Sequence, residues 1–192
     1  MKLVLASASP RRCEILKNAG YKFDVCPAQI DETIGKTSPS EAVCTLSKNK
    51  AKAVFESLEN KENVAVLGSD TIVVLDGKIL GKPKNEAEAV SMLTCLSGKK
   101  HKVYTGVCVV TKSQTRSFFD CTTVEFYSLS DTLIKAYVKT GEPMDKAGAY
   151  GIQGKGSMLV KSINGDFFSV MGLPIAKTAK ALKEVGVKGL IY

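Results

Sequence analysis

The chain reads as an α/β protein, and three features of its sequence carry that reading. Short apolar runs of strand length alternate with segments that open on helix caps. One run, Val64 to Leu75, is apolar enough for a central strand covered on both faces. The helical segments carry apolar residues at three- and four-residue steps, as helices packed against a sheet do. With 192 residues, 44% hydrophobic and 24% charged, the chain can bury a real core as one domain with room for two lobes.

The elements follow in order. Lys2-Leu3-Val4-Leu5 forms a strand that passes through Ala6-Ser7-Ala8-Ser9 into a helix beginning at Pro10. Ser9 suits the N-cap and Pro10 the first helical position, but Arg11 and Arg12 place positive charge where the helix dipole prefers negative. Together with the first-turn amides, Ser7, Ser9, Arg11 and Arg12 make a cradle suited to phosphate; the competing reading is solvated surface charge. Ile15, Leu16 and Ala19 give this helix its apolar face, Gly20 caps its end, and Phe23 and Val25 mark a second strand stopped by Pro27. The loop from Gln29 to Ile34 sets Asp31 beside Glu32, either ordinary surface acids or a metal or catalytic pair.

Ser38-Pro39-Ser40-Glu41 is a capping box, so a helix starts there. Its apolar row runs Val43, Leu46, Lys50, Ala53, Val54, which makes Lys50 either a snorkelling side chain or one held toward a ligand phosphate. Asp70 lies in the middle of the Val64 to Leu75 run. It is hydrogen-bonded structurally or, as we favour, poised at a strand end in a cleft for metal binding and base chemistry. An Asp76-Gly77 turn leads to Lys78-Ile79-Leu80, and Gly81-Lys82-Pro83 presents a lysine in a tight turn. Asn85 and Glu88 cap a helix bearing Ala89, Val90, Leu93 and Leu96, which Ser97-Gly98 stops. Val103 to Thr111 and Phe118 to Phe126 read as strands joined by a polar loop, and Asp131 to Lys139 as a helix.

The stretch from Gly141 to Gly156 holds five glycines, yet Tyr150, Ile152 and two acids make it a structured loop of functional type rather than a linker. Ser157 to Ile163 and Asp166 to Val170 read as a hairpin around Asn164-Gly165, after which Gly172-Leu173-Pro174 opens a last helix with Ile175, Ala179 and Leu182 inward.

Composition narrows the partners. No run approaches the ~18 apolar residues of a membrane span, and no signal-peptide pattern opens the chain, so a cytoplasmic protein with no membrane partner is expected. The six cysteines lack paired spacing and read as reduced, half-buried thiols. His101 stands between Lys100 and Lys102 and reads as a surface loop residue. A formal charge of +8 asks for an acidic partner, but the lysines are scattered and aromatics are only 7%, which argues against a stable nucleic-acid groove.

Leu5-Ala6-Ser7-Ala8-Ser9-Pro10-Arg11-Arg12, Asp31-Glu32, Gly68-Ser69-Asp70-Thr71, Gly81-Lys82-Pro83, Thr140 to Gly154 and Gly172-Leu173-Pro174 resemble, in order and spacing, the Maf family of nucleoside triphosphate pyrophosphatases. The opening octet and the Thr140 to Gly154 string are the specific signals. The resemblance implies an inosine triphosphate pyrophosphatase-like α/β fold, with an elongated mixed β-sheet flanked by helices and two lobes around a central cleft, as a homodimer. It also implies metal-dependent cleavage between the α- and β-phosphates of dTTP and UTP, giving monophosphate and pyrophosphate. On this likeness Asp70 matches the proton acceptor, and Arg12, Thr71 and Gln153 match the positions that distinguish the dTTP/UTP branch.

The chemistry then apportions roles. Ser7, Ser9, Arg11 and Arg12 hold phosphates, Lys50 and Lys82 offset charge on departing pyrophosphate, and Glu32 with Asp70 hold Mg²⁺ or Mn²⁺. Thr71 and Gln153 offer a hydroxyl and an amide to a pyrimidine edge. About 100° separates successive helical residues, so Arg11 faces phosphate and Arg12 the substrate-selecting wall. Two departures from the family pattern stand out: Ser69 where alanine is usual, and Ser169-Val170-Met171 for Asn-Val-Val. The rival class is a non-catalytic nucleotide- or nucleic-acid-binding regulator linked to cell division.

Overall fold

The structure is a computed structural model that describes residues 1–35 and 37–191. Its strands are β1 (Lys2–Leu5), β2 (Phe23–Val25), β3 (Val64–Leu75), β4 (Lys78–Leu80), β5 (Lys100–Val110), β6 (Thr115–Phe126) and β7 (Val160–Asn164). Its helices are α1 (Pro10–Asn18), α2 (Pro39–Ser57), α3 (Glu86–Leu96), α4 (Asp131–Val138), α5 (Phe167–Met171) and α6 (Ile175–Glu184). The strands make one mixed sheet in the order β2-β1-β3-β5-β6-β7, with β4 also on β3. β1 runs parallel to both β2 and β3, whereas β4 is antiparallel to β3 and β7 to β6. The α/β reading with a mixed sheet therefore stands.

The chain divides into two compact units, and the three long strands contribute to both. One unit takes Met1–Asp70, Thr105–Asp120 and the chain from Gly172 onward; the other takes Thr71–Tyr104 and Cys121–Met171. The division within β3 falls between Asp70 and Thr71.

In the first unit α2 lies on the sheet through Ala51 and Val54, which share a cluster with Val4 of β1, Val64 and Val66 of β3, and Cys108 and Val110 of β5. Two glycines set how close it lies. A Cβ on Gly68 would come within 2.2 Å of the Ser47 carbonyl oxygen, and one on Gly106 within 2.2 Å of the Val43 carbonyl oxygen. The predicted capping box opens α2: Ser38 Oγ accepts the Glu41 N–H and the Glu41 carboxylate accepts the Ser38 N–H. Along its buried face Ala53 is only half-buried, and Ala51, fully buried, takes the place expected for it.

The second unit packs Ala89, Leu93 and Leu96 of α3 with Ile134, Tyr137 and Val138 of α4 around Val103, Val124 and Phe126. Here His101 corrects the sequence reading. β5 begins at Lys100, and strand alternation sends Lys100 and Lys102 outward while His101 turns in, 3% exposed. Its ring meets Phe126 and Tyr150 edge-on, and Nε2 lies 2.8 Å from the Tyr150 hydroxyl. The C-terminal hairpin is a second correction. β7 pairs with β6, and the segment after Asn164-Gly165 turns into helix α5 instead of a strand. Asp166 drives the change: its carboxylate accepts the Phe168 N–H at 2.8 Å, and its backbone N–H donates to Thr122 Oγ1 at 2.9 Å.

The glycine-rich stretch is built from three short 3-10 turns, Glu142–Asp145, Ala147–Ala149 and Gly154–Leu159. All six cysteines are free thiols: Cys108 is buried, Cys95 exposed and the other four half-buried. Among the described residues, no helix is long and apolar enough to cross a membrane.

Candidate active site

Asp70 sits on β3 with 7% of its surface exposed, one residue before the strand passes into the second unit. A buried carboxylate needs a charged partner, and α2 supplies it. Lys50, itself 8% exposed, places Nζ 2.6 Å from Asp70 Oδ1 and 2.7 Å from Glu32 Oε1. Lys50 is thus held by carboxylates and does not snorkel. The Gly68 approach described above makes the pairing possible, since it seats the α2 backbone directly on the strand two residues before Asp70.

The start of α1 adds an arginine. Ser9 occupies the N-cap in extended conformation, but its side chain makes no cap hydrogen bond. Buried Ser7 does the local work: its Oγ accepts the Ser9 N–H at 3.3 Å and Arg12 Nη1–H at 2.9 Å. Arg12 Nε–H donates to the Gly172 carbonyl at 2.9 Å. Burial pushes the guanidinium pKa below its ordinary value, the Asp70 charge pulls it back up, Arg11 lowers it and Glu32 raises it. Arginine stays charged under such shifts.

Ser69 is a residue whose position the sequence marks only as a departure from the family pattern. It is fully buried, and its hydroxyl lies 3.0 Å from the Gly106 carbonyl and 2.9 Å from the Gly172 carbonyl. Gly172 therefore ties both Ser69 and Arg12 to the turn that opens α6. Nothing local in the sequence around Ser69 points to a backbone acceptor 103 positions away.

Within one unit the structure bonds Ser7 to Arg12 and joins Glu32, Lys50 and Asp70 by ion pairs, and the Asp70 and Glu32 charges act on the Arg12 guanidinium. Ser9 and Arg11 belong to the same unit, both half-buried. Thr71, Lys82 and Gln153 belong to the second unit: Thr71 and Gln153 are half-buried and Lys82 is exposed. There the Gly81 carbonyl accepts the Gly148 N–H at 3.0 Å, linking the Gly81-Lys82-Pro83 turn to the glycine-rich stretch that carries Gln153.

Among the described residues, no group of three or more His, Cys, Asp or Glu gathers as an all-protein metal cage. The donor set still fits a Mg²⁺-type ion, which takes one or two carboxylates and leaves its other positions to water and substrate oxygens. Glu32 and Asp70 already converge on one cation, the Lys50 ammonium.

A mixed α/β protein that pairs a buried carboxylate with lysine and arginine beside a helix start belongs to the class built to handle anionic groups. A family model described as Maf-like protein matches residues 2–185, and the chain belongs to that family. A protein of Bacillus mycoides (strain KBAB4) named dTTP/UTP pyrophosphatase is 52% identical over 184 residues, 95% of each chain. Another of that name, from Bacillus thuringiensis subsp. konkukian (strain 97-27), is 50% identical over 187 residues, 97% of this chain and 96% of the relative. A crystal structure of nucleoside-triphosphatase / dITP/XTP pyrophosphatase from Mycobacterium abscessus ATCC 19977 is similar with a TM-score of 0.45 and 12% identity, over 98% of this chain and 100% of that one.

Proposed function

We propose that the chain is a nucleoside triphosphate pyrophosphatase that hydrolyses dTTP and UTP, and with them modified pyrimidine nucleotides, to the monophosphate and pyrophosphate. The observation that carries this reading is the buried Asp70 bridged by Lys50 to Glu32, in a chain half identical to relatives named for that activity.

The residues account for the steps. Ser7, Ser9 and Arg11 bind and orient phosphate oxygens at the start of α1, while Arg12 belongs to the substrate-selecting wall. Asp70 accepts the proton of the water attacking the α-phosphorus. A P–O bond forms to that water, the bond from the α-phosphorus to the bridging oxygen breaks, and its electron pair leaves on pyrophosphate. Lys50 and Lys82 offset the charge gathering there. A Mg²⁺ or Mn²⁺ held by Glu32 and Asp70 would supply further neutralisation of phosphate charge. Thr71 and Gln153 pair with the pyrimidine edge, and purines or cytosine leave them mismatched. Residence in the cytoplasm, where the nucleotide pool is, and a homodimeric state belong to the same proposal.

The test is pyrophosphate release from a nucleotide panel with Mg²⁺, with Mn²⁺ and with chelator. Metal-dependent release from dTTP and UTP ahead of CTP and 7-methyl-GTP supports the reading. Release from none of them, alongside salt-sensitive DNA or RNA binding, overturns it. Asp70→Asn lowers turnover by at least about 10²-fold if Asp70 is the base, and near-normal turnover by a folded Asp70→Asn protein removes it from that role.

A further inference from the structure

Gln153 lies in a loop with five glycines, and a side chain on a loose loop discriminates poorly between bases. Two side chains close around the backbone on either side of it. Tyr137, near the end of α4, accepts the Gly151 N–H on its hydroxyl oxygen at 3.1 Å and donates the hydroxyl proton to Glu142 Oε1 at 3.0 Å. Glu142 in turn accepts the Gly156 N–H on Oε1 at 3.0 Å and the Lys155 N–H on Oε2 at 3.1 Å. The amides two positions before Gln153, and two and three positions after it, are therefore held by one phenol–carboxylate pair.

The glycines are shaped to this clamp. A Cβ on Gly156 would fall 2.3 Å from the Gly151 carbonyl oxygen and 2.6 Å from the Tyr137 hydroxyl. At Gly154, φ is +65°, and a Cβ there would sit 3.0 Å from Glu142 Oε2. The anchor is rigid: Tyr137 is 4% exposed within the second unit's core. Glu142 also stays charged. Burial raises its carboxyl pKa, but the Gly156 and Lys155 amides, the Tyr137 hydroxyl and the Lys146 charge outweigh burial and leave it below the ordinary value.

We propose that Tyr137 and Glu142 are positioning residues that set substrate preference by fixing the Gln153 turn. This rests on the reading of Gln153 as the residue that meets the base. Since neither side chain need touch the nucleotide, the pair acts through Gln153 and its effect lies in discrimination more than in the phosphate chemistry.

The experiment compares Tyr137→Phe, Glu142→Gln and Gln153→Ala, with the double variant Tyr137→Phe/Gln153→Ala, as full-length chains. Two readouts are taken: amide hydrogen exchange at Gly151, Lys155 and Gly156, and the ratio of kcat/KM for dTTP over CTP. Tyr137→Phe keeps the ring in the core, so it remains folded even if Glu142→Gln does not. The expected result is about tenfold faster exchange at Gly151 in Tyr137→Phe, and a dTTP/CTP ratio at least about fivefold lower. The double variant then discriminates no worse than Gln153→Ala alone, because both changes remove one device. If Gln153→Ala lowers the ratio and Tyr137→Phe leaves it intact, the clamp has only a structural role and the proposal is overturned while Gln153 keeps its role. If Gln153→Ala itself leaves the ratio unchanged, the reading of Gln153 fails, and the clamp's part in selection fails with it.

Discussion

Lys50 shows how a single side chain can be placed in sequence and still keep its purpose hidden. The three- and four-residue stripe of α2 puts it in an apolar row, and its burial follows from that row. Its partners, Glu32 and Asp70, are 18 and 20 positions away, and only the fold shows that one ammonium serves both. Lys50→Ala leaves Asp70 buried without the ammonium 2.6 Å from its carboxylate, while the longer-range Arg12 charge still acts on it. We expect a loss of about 3 kcal/mol of stability, the low end for removing one partner of a buried pair, read as a lower urea midpoint at unchanged slope. Ser69 marks the opposite case, since a hydroxyl in a valine-rich strand carries no hint of its acceptors. Ser69→Ala removes a donor but leaves the Gly172 carbonyl bonded to Arg12, so we expect a cost of only about 1 kcal/mol. A loss several times larger would mean that the Gly106 carbonyl has no other way to be satisfied.

At the scale of elements, local chemistry was readable and packing partners were not. The start of α2 is legible because a capping box is a contact between residues three apart, and the Asp76-Gly77 turn is legible because both residues adopt the positive φ that such a turn needs. The Asn164-Gly165 hairpin misled because the same turn signal sits where Asp166 caps a helix and Thr122, on a distant strand, holds its backbone. The seating of α2 was equally invisible, since Gly68 and Gly106 look like weak points in strands until a helix backbone is laid across them. Gly68→Ala and Gly106→Ala each drive a methyl into a carbonyl of α2, so the helix must lift or the strand bend. Overpacking alone costs about 1 to 3 kcal/mol. Backbone has less room to yield than a side chain, so we expect the upper end. Because α2 carries Lys50, either change also draws the ammonium away from Asp70. Catalytic activity should therefore fall further than stability accounts for, as turnover measured at a temperature where each variant remains folded would show.

The molecule as a whole holds one histidine, and that makes its acid response unusually easy to read. Composition speaks for a basic globular chain, but the order of strands in the sheet depends on pairings far apart in sequence, and the inward turn of His101 depends on that order. Burial holds the His101 imidazole neutral, with its pKa lowered from 6.5 to about 4. The titratable group facing it is the Tyr150 phenol, which burial raises above its ordinary value and keeps neutral through the acid range. The unfolded chain binds a proton at His101 as pH falls through 6.5, whereas the native chain does not until about 4, so stability rises with pH across that window and falls on acidification. Carboxylates held below their ordinary values, Glu142 among them, lose their native advantage only below about 4.5, from where their effect overlaps. Between pH 6.5 and 5 the slope therefore belongs to His101. It should approach about 1.4 kcal/mol per pH unit, and the full window is worth about 3 kcal/mol. His101→Gln keeps an amide for the Tyr150 hydroxyl and removes the titration. Urea unfolding at a series of pH values should show a flat profile from pH 6.5 to 5 in His101→Gln and a falling one in the parent. Parallel profiles would mean that His101 reaches solvent and takes up its proton in the native state.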